Sequence, residues 1–310
     1  MSEPIEFPLN FDRYMELGQL ALAEGLLDEA LLNFEGAYNL QEDFLANRSL
    51  ATVLMAQSEF FEAKKIADEM KLDYLSDPQN FTLYVTILTG THFFIQGRKL
   101  VKRCQFSEEV KESCLEELEQ GEQFFRKFQR KELTKRLSLA TDLGELSFYQ
   151  QGSRLRGLER LPQEEYVSLV KALIEQAVLP LLLNNGLVEA LVELGCQCEL
   201  SSQSIMGPQL IQLGKLPLID QQNSYLTSLK ELQLQVENGD SELSQSLREE
   251  LRLQFILLYP LGDQLIQEPK LWVSLFLASY FGNEVAEVPV GHSYLTLQSR
   301  LRQELARLVQ

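Results

Sequence analysis

Tyr14-x-x-Leu17-Gly18-x-x-Ala21-x-x-x-Gly25-x-x-x-x-Ala30-x-x-x-Phe34-x-x-Ala37 is the stretch from which the fold can be read. Tyr14, Leu17 and Ala21 fall three and four residues apart, so they share one face of a helix. Gly18 lies on that face without a side chain, which lets a neighbouring helix come close at its level. Gly25 stands where this helix should stop, a residue suited to the left-handed backbone of a helix end. Asp28 and Glu29 open a second helix, placing negative charge at the positive end of its dipole. Ala30, Phe34 and Ala37 form its inward stripe, the phenylalanine filling space that the alanines leave. The spacing predicts a helical hairpin.

One hairpin cannot bury its own apolar face, so the pattern should recur. A shift of 33 residues carries Leu17, Gly18 and Ala21 onto Leu50, Ala51 and Leu54. It carries Ala30, Phe34 and Ala37 onto Ala63, Ala67 and Met70, while the tyrosine position becomes Asn47. A third unit is read from Phe81, with Gly90 at the close approach, Phe93 after it and Gly97 at the turn.

Over the first third of the chain these residues resemble tetratricopeptide (TPR) repeats. The resemblance implies stacked helical hairpins whose first helices line a concave groove that holds a protein segment. It places Asp12, Met15, Gln19 and Leu22 in the groove from the first unit, and Leu45, Arg48, Thr52 and Met55 from the second. Tyr84, Ile87, Thr91 and Phe94 follow from the third. Met15, Gln19, Leu22, Arg48, Thr52, Met55 and Tyr84 are the expected partner-binding set. Two methionines among them suit an irregular apolar peptide or an amphipathic helix. The lysine and asparagine clamp by which chaperone-binding relatives hold a terminal carboxylate is not reproduced, since Met15, Gln19 and Ser49 occupy its leading places. The opposing reading buries these apolar residues under the next helix or under the carboxy-terminal part.

Composition fits a folded helical chain: of 310 residues, 45% are hydrophobic and 24% charged, which argues against disorder. The start, Met1-Ser2-Glu3-Pro4-Ile5-Glu6, lacks the basic-then-apolar order of a signal peptide. The longest apolar stretches, 177–183 and 255–261, fall short of the roughly 18 residues that a membrane span needs. Four cysteines are too few for a disulfide scaffold, so the expectation is a cytoplasmic protein without a membrane partner.

The net charge of −17 disfavours nonspecific nucleic-acid binding. The charge is unevenly spread: residues 1–97 hold 16 acidic and 5 basic side chains, whereas 98–160 hold 11 and 14. The cations cluster as Arg98, Lys99, Lys102 and Arg103, then Arg126, Lys127, Arg130, Lys131, Lys135 and Arg136, with Phe124, Phe125 and Phe128 among them. Arg126, Arg130, Lys131 and Lys135 define a basic patch for an acidic peptide or a nucleic-acid backbone. The competing reading is a solvated helix face paired with Glu116, Glu117, Glu119 and Glu122.

The rest of the chain keeps helical spacing. Ser107 to Lys131 reads as one long helix opened by a serine cap, and Leu133 to Gln150 as its continuation or partner. Gln151 to Pro162 reads as a linker, which divides the chain into a TPR-like domain, 1–150, and a second helical domain, 162–310. In the latter, Pro180 should end a helix, Asn185-Gly186 should mark a turn, and 199–220 is the least regular stretch. Helices are expected around Leu243 to Leu251, Trp272 to Tyr280 and Leu301 to Leu308; the stretch Leu295 to Leu308 either offers a route to self-association or packs on its own chain. No run of β-branched alternation predicts a sheet of any size. The expected fold is all-α: TPR-like hairpins continuing into a right-handed α-solenoid or a helical bundle.

Chemistry leaves few marks. His92 lies beside Phe93 and Phe94, and His292 follows Gly291 in an expected loop; neither has metal-ligand spacing around it. Cys196-x-Cys198 lacks the partners of a structural zinc site, and Cys104 and Cys114 are distant in sequence. Phosphate loops, dinucleotide fingerprints and nucleophile elbows do not occur. The expectation is a non-enzymatic adaptor or scaffold without cofactor or metal, its partner unidentified. The alternative is a regulatory or nucleic-acid-binding helical protein using residues 98–136.

Overall fold

A computed structural model describes residues 10–236, 241–282 and 289–308. The stretch Met1 to Glu6 lies outside the described residues. The fold is all-α: among the described residues there are seventeen α-helices and one two-stranded sheet. The chain divides into two compact units. The first runs to Leu133 and takes in Glu159–Gln163; the second comprises Thr134–Leu158 and the chain from Glu164 onward. The expected division at 150 and 162 therefore falls at different places from these limits.

The first unit opens with three hairpins in register: α1 (Phe11–Ala23) with α2 (Leu27–Leu40), α3 (Phe44–Ala56) with α4 (Phe60–Glu69), and, after the single turn α5 (Lys71–Tyr74), α6 (Pro78–Gly90) with α7 (Phe94–Arg103). Each first helix is capped by an acidic or amide side chain. The carboxylate or amide oxygens of Asn10, Asp43 and Asp77 accept from the amides of Arg13, Leu45 and Gln79. Each hairpin turns at a left-handed residue, Gly25, Ser58 and His92, with φ of 75°, 63° and 61°. The same pair of hydrogen bonds closes every turn. Leu26 N donates to Ala21 O and Gly25 N to Leu22 O, and the equivalents recur at Glu59 and Ser58, then at Phe93 and His92. Caps and turns thus repeat at steps of 33 and 34 residues.

The third turn falls at His92 and not at Gly97. Gly97 sits inside α7, where an added Cβ would come 2.8 Å from Leu118. Gly90 fills its role from the end of α6, against the ring of Phe60. Helix α8 (Glu108–Phe128) packs on α6 and α7 and breaks at Gln129 before α9 (Arg130–Leu137).

Buried polar groups join the hairpins. Asn47 is fully buried; its amide donates to Ile66 O at 2.8 Å and Tyr38 Oη at 3.3 Å, and its carbonyl accepts from Tyr74 Oη at 2.9 Å. The returning segment Glu159–Gln163 is tied down through Ile95 N to Glu159 O, Lys99 to the Glu159 carboxylate at 3.2 Å, and Arg160 to Thr91 O at 3.1 Å. The Arg160 guanidinium lies 5.0 Å from the Phe61 ring and 5.2 Å from the Phe93 ring.

The second unit departs from the expected reading at five places. Residues read as a linker form α10 (Phe148–Leu158), because Leu155 and Leu158 are buried and Gln151 donates to Leu143 O. Upstream, the expected helix from Leu133 breaks into two 3₁₀ turns around Asp142, whose φ is 55°. After α11 (Gln163–Gln176), which ends before Pro180, α12 (Leu181–Glu193) runs unbroken through Asn185-Gly186, where a turn was expected. The irregular stretch holds an antiparallel hairpin, β1 (Glu199–Ser204) with β2 (Gly207–Gln212), on whose inward side Leu200, Ser202, Ser204 and Ile211 are buried. Helices α13 (Asn223–Val236), α14 (Ser241–Leu258), α15 (Gly262–Leu265), α16 (Pro269–Phe281) and α17 (Pro289–Arg307) complete the unit around Phe255, Trp272 and Leu301. His292 belongs to α17 and not to a loop. The Asn185 amide donates to Ile256 O and Leu257 O, satisfying carbonyls in the last turn of α14.

Candidate functional site

Aligning the three first helices by their caps shows which positions stay open. Asp12, Glu16, Gln19 and Ala23 on α1 are exposed, and their equivalents on α3 are Leu45, Ser49, Thr52 and Ala56. Leu45 is 43% exposed, a large apolar side chain turned to solvent on this face. The α6 equivalents are Gln79, Leu83, Thr86 and Gly90, and all but Gln79 are half-buried. Their cover is α8: Thr86 Oγ1 lies 3.0 Å from Glu117 Oε2, and Gly121 abuts the methyl of Thr89. The face therefore runs open across α1 and α3 and is closed by α8 beyond α6.

This surface offers an exposed amide at Gln19, a hydroxyl oxygen at Thr52 whose proton goes to Arg48 O at 2.8 Å, and apolar ground at Leu45, Leu83 and Met55. Ala23 and Ala56, small and exposed, leave room for a backbone to approach the carboxy ends of α1 and α3. Arg48 is half-buried and donates to Asn80 Oδ1 at 3.1 Å. The face is equipped to hold a chain segment by mixed polar and apolar contacts. Among the described residues there is no group of three or more histidine, cysteine, aspartate or glutamate side chains that could hold a metal ion.

The expected binding residues separate on this frame. Gln19 and Thr52 lie on the open face, with Leu22, Met55 and Arg48 half-buried at its margin. Met15 is 5% exposed and packs in the core with Ala21, Ala30 and Phe34. Tyr84 has no exposure at all, and its hydroxyl donates to Asp68 Oδ1 at 2.6 Å; burial raises its pKa. Ile87, Thr91 and Phe94 are likewise fully buried. The cause is register: α6 begins at Pro78, so Tyr84 corresponds to Leu50, a core position of the second hairpin, and to the half-buried Leu17 of the first. Glu16, Ser49 and Leu83 were missed. The cap Asp77-Pro78, matching Asn10 and Asp43, was the signal that would have found them.

The basic segment also separates. The Arg98 guanidinium makes two hydrogen bonds, at 2.7 and 3.0 Å, to Glu122, whose side chain is 3% exposed. Lys99 is held by Glu159, and Arg126 lies 4.0 Å from Glu122. Arg130, Lys131 and Lys135 are exposed on α9. Phe125 is buried against Phe94 and His92, whereas Phe124 and Phe128 are 57% and 61% exposed with ring centroids 4.6 Å apart. Lys127 sits over the Phe128 ring at 5.1 Å.

Three residues with a chemical option, His92, Cys114 and Cys196, are framed by packing. His92 occupies a left-handed turn, its ring 4.8 Å from that of Phe125 and 3.4 Å from Gln129 Nε2. Burial pushes the thiols of Cys114 and Cys196 up, away from the thiolate. No described helix is long and apolar enough to cross a membrane. Compared with protein-family models, with curated proteins and with solved structures, the chain matches none.

Proposed function

We propose that the amino-terminal hairpins are TPR-like repeats and that the protein is an adaptor or scaffold, holding a peptide or helix of another protein across α1 and α3. The observation that carries this reading is the recurrence of cap and turn at 33 and 34 residues, beside a face left open at Gln19, Leu45 and Thr52. Stacked hairpins of this kind present one continuous surface built from the same position of successive helices. The partner suited to this surface carries apolar side chains for Leu45 and Met55 and backbone or polar groups for Gln19 and Thr52.

The test is affinity capture from source-cell lysate with the full chain and with Leu45→Glu/Thr52→Glu. Any retained protein is then measured directly against both chains. Loss of binding by the substituted chain, with its helix content unchanged, supports the groove. A partner held equally by both chains removes it.

A second reading rests on the exposed Phe124–Phe128 pair beside Lys127 and Lys131, which suits an acidic segment with apolar side chains or a nucleic-acid backbone with stacked bases. Capture that survives the first substitution but fails with Phe124→Ala/Phe128→Ala favours this surface.

A further inference from the structure

The repeat register marks a second surface, at the amino-terminal edge of the stack. On α3 the positions Ala46, Leu50 and Val53 are buried and Gln57 donates to Asp28 on α2 at 2.7 Å. On α6 the equivalents Asn80, Tyr84, Ile87 and Thr91 are all buried. These positions are where each hairpin receives the one before it. On α1 the same stripe reads Arg13, Leu17, Leu20 and Glu24, and among the described residues no hairpin precedes it. Leu20 is 53% exposed where Val53 and Ile87 have no exposure.

The stripe has an order of its own. Spacings of four, three and four keep the four side chains within one narrow face of α1. The two leucines are central, a cation stands at one end and an anion at the other, symmetrically about the point midway between Leu17 and Leu20. Turned about a two-fold axis through that point, a second α1 runs antiparallel to the first. Leucine then meets leucine, and Arg13 of each helix meets Glu24 of the other. Self-complementarity of this kind is what an isologous interface requires.

We propose that α1 mediates association of two copies of this chain, antiparallel across Leu17 and Leu20, with Arg13 and Glu24 setting the alignment. Among the described residues of the single chain, Arg13 pairs with Glu16 at 2.6 Å on the exposed surface, a contact whose exchange for Glu24 of a second copy costs little. One helix face is small beside a standard interface, so the association is concentration-dependent.

Sedimentation equilibrium of the full chain tests this, over a roughly hundredfold concentration range reaching the millimolar regime of weak complexes. The expected result is a mass rising from 35.5 kDa toward twice that value. Leu20→Glu should stay monomeric. Arg13→Glu alone and Glu24→Arg alone should each weaken association about tenfold, as like charges meet at both ends of the pair. An equal mixture of the two single variants, and the double variant Arg13→Glu/Glu24→Arg, should regain it. Circular dichroism checks each fold. A native chain that stays monomeric throughout overturns the proposal. So does dimer formation that Leu20→Glu leaves intact, or a mixture that fails to restore what the single reversals remove.

Discussion

A Cβ placed on Gly18 would lie 2.6 Å from Cε1 of Phe34, so the phenylalanine ring rests directly on the backbone of α1. Phe34 is fully buried and has no space into which to retreat. Gly18→Ala should therefore destabilise the first hairpin despite alanine's better helix propensity, by about 1–3 kcal/mol from overpacking. Urea unfolding at fixed pH measures it, and an unchanged midpoint would show that the two helices can separate freely.

Asn47 serves three partners in a region without solvent. Asn47→Leu keeps the branched shape but leaves the Tyr74 hydroxyl and Ile66 carbonyl without their partner, at a cost of about 2–4 kcal/mol. Asn47→Leu with Tyr74→Phe should lose less than the sum of the two separate changes. A strictly additive double-mutant cycle would show that the bond contributes nothing.

Met15→Glu and Leu45→Glu should behave differently although both residues belong to first helices. Met15 is in the core, and a carboxylate there lacks a partner, so the melting transition of the first unit should fall sharply or vanish. Leu45 is solvent-exposed, and its substitution should leave the transition within about 0.5 kcal/mol of the native value. Parallel thermal melts separate the two.

Glu189 gives the second unit a pH dependence. Burial raises its pKa above the ordinary carboxylate value, against the lowering effect of the hydrogen bond from Ile219 N. A raised pKa means that the folded chain binds this proton more readily than the unfolded one. This group's contribution is thus fully favourable below the unfolded value and declines as pH rises through the folded one. Glu189→Gln, which keeps an oxygen for Ile219 N, should raise the melting temperature at neutral pH, and the gain should shrink as pH falls through the raised folded value and be gone below the ordinary carboxylate value of about 4. A gain independent of pH would assign the effect to packing.

The first hairpin was legible because its punctuation is made of glycines. Gly18 and Gly25 do what glycine alone does cheaply, and Phe34 supplies the bulk opposite. The third hairpin was misplaced because its left-handed residue is His92, which carries no such signal, while Gly97, which does, packs on Leu118. That five-residue error put Tyr84 on the binding face when it belongs to the core. Helix α10 was hidden by Gly152 and Gly157, and Gly157 is there because Leu139 leaves no room for a side chain. The β-hairpin was hidden because its buried side alternates with serine. Ser202 is stabilised by the Asn184 amide at 3.0 Å, a long-range partner that no local pattern announces. The candidate face was half legible: Gln19 and Thr52 follow from helix geometry, whereas the cover laid by α8 depends on contacts between Thr86 and Glu117, distant in sequence.

The grip of Arg160 on Phe61, Phe93 and Thr91 has a consequence for how the molecule is made. The first unit lacks part of itself until residues 159–163 have been synthesised, and by then the ribosome has already made Thr134–Leu158, which belongs to the other unit. The hairpins can begin to form as they emerge, yet they finish late, after an excursion of the chain that must not be misplaced in the meantime. A fragment ended at residue 133 or 150 would emerge with the Phe61–Phe93 seat empty, so birth order and spatial order differ in this protein.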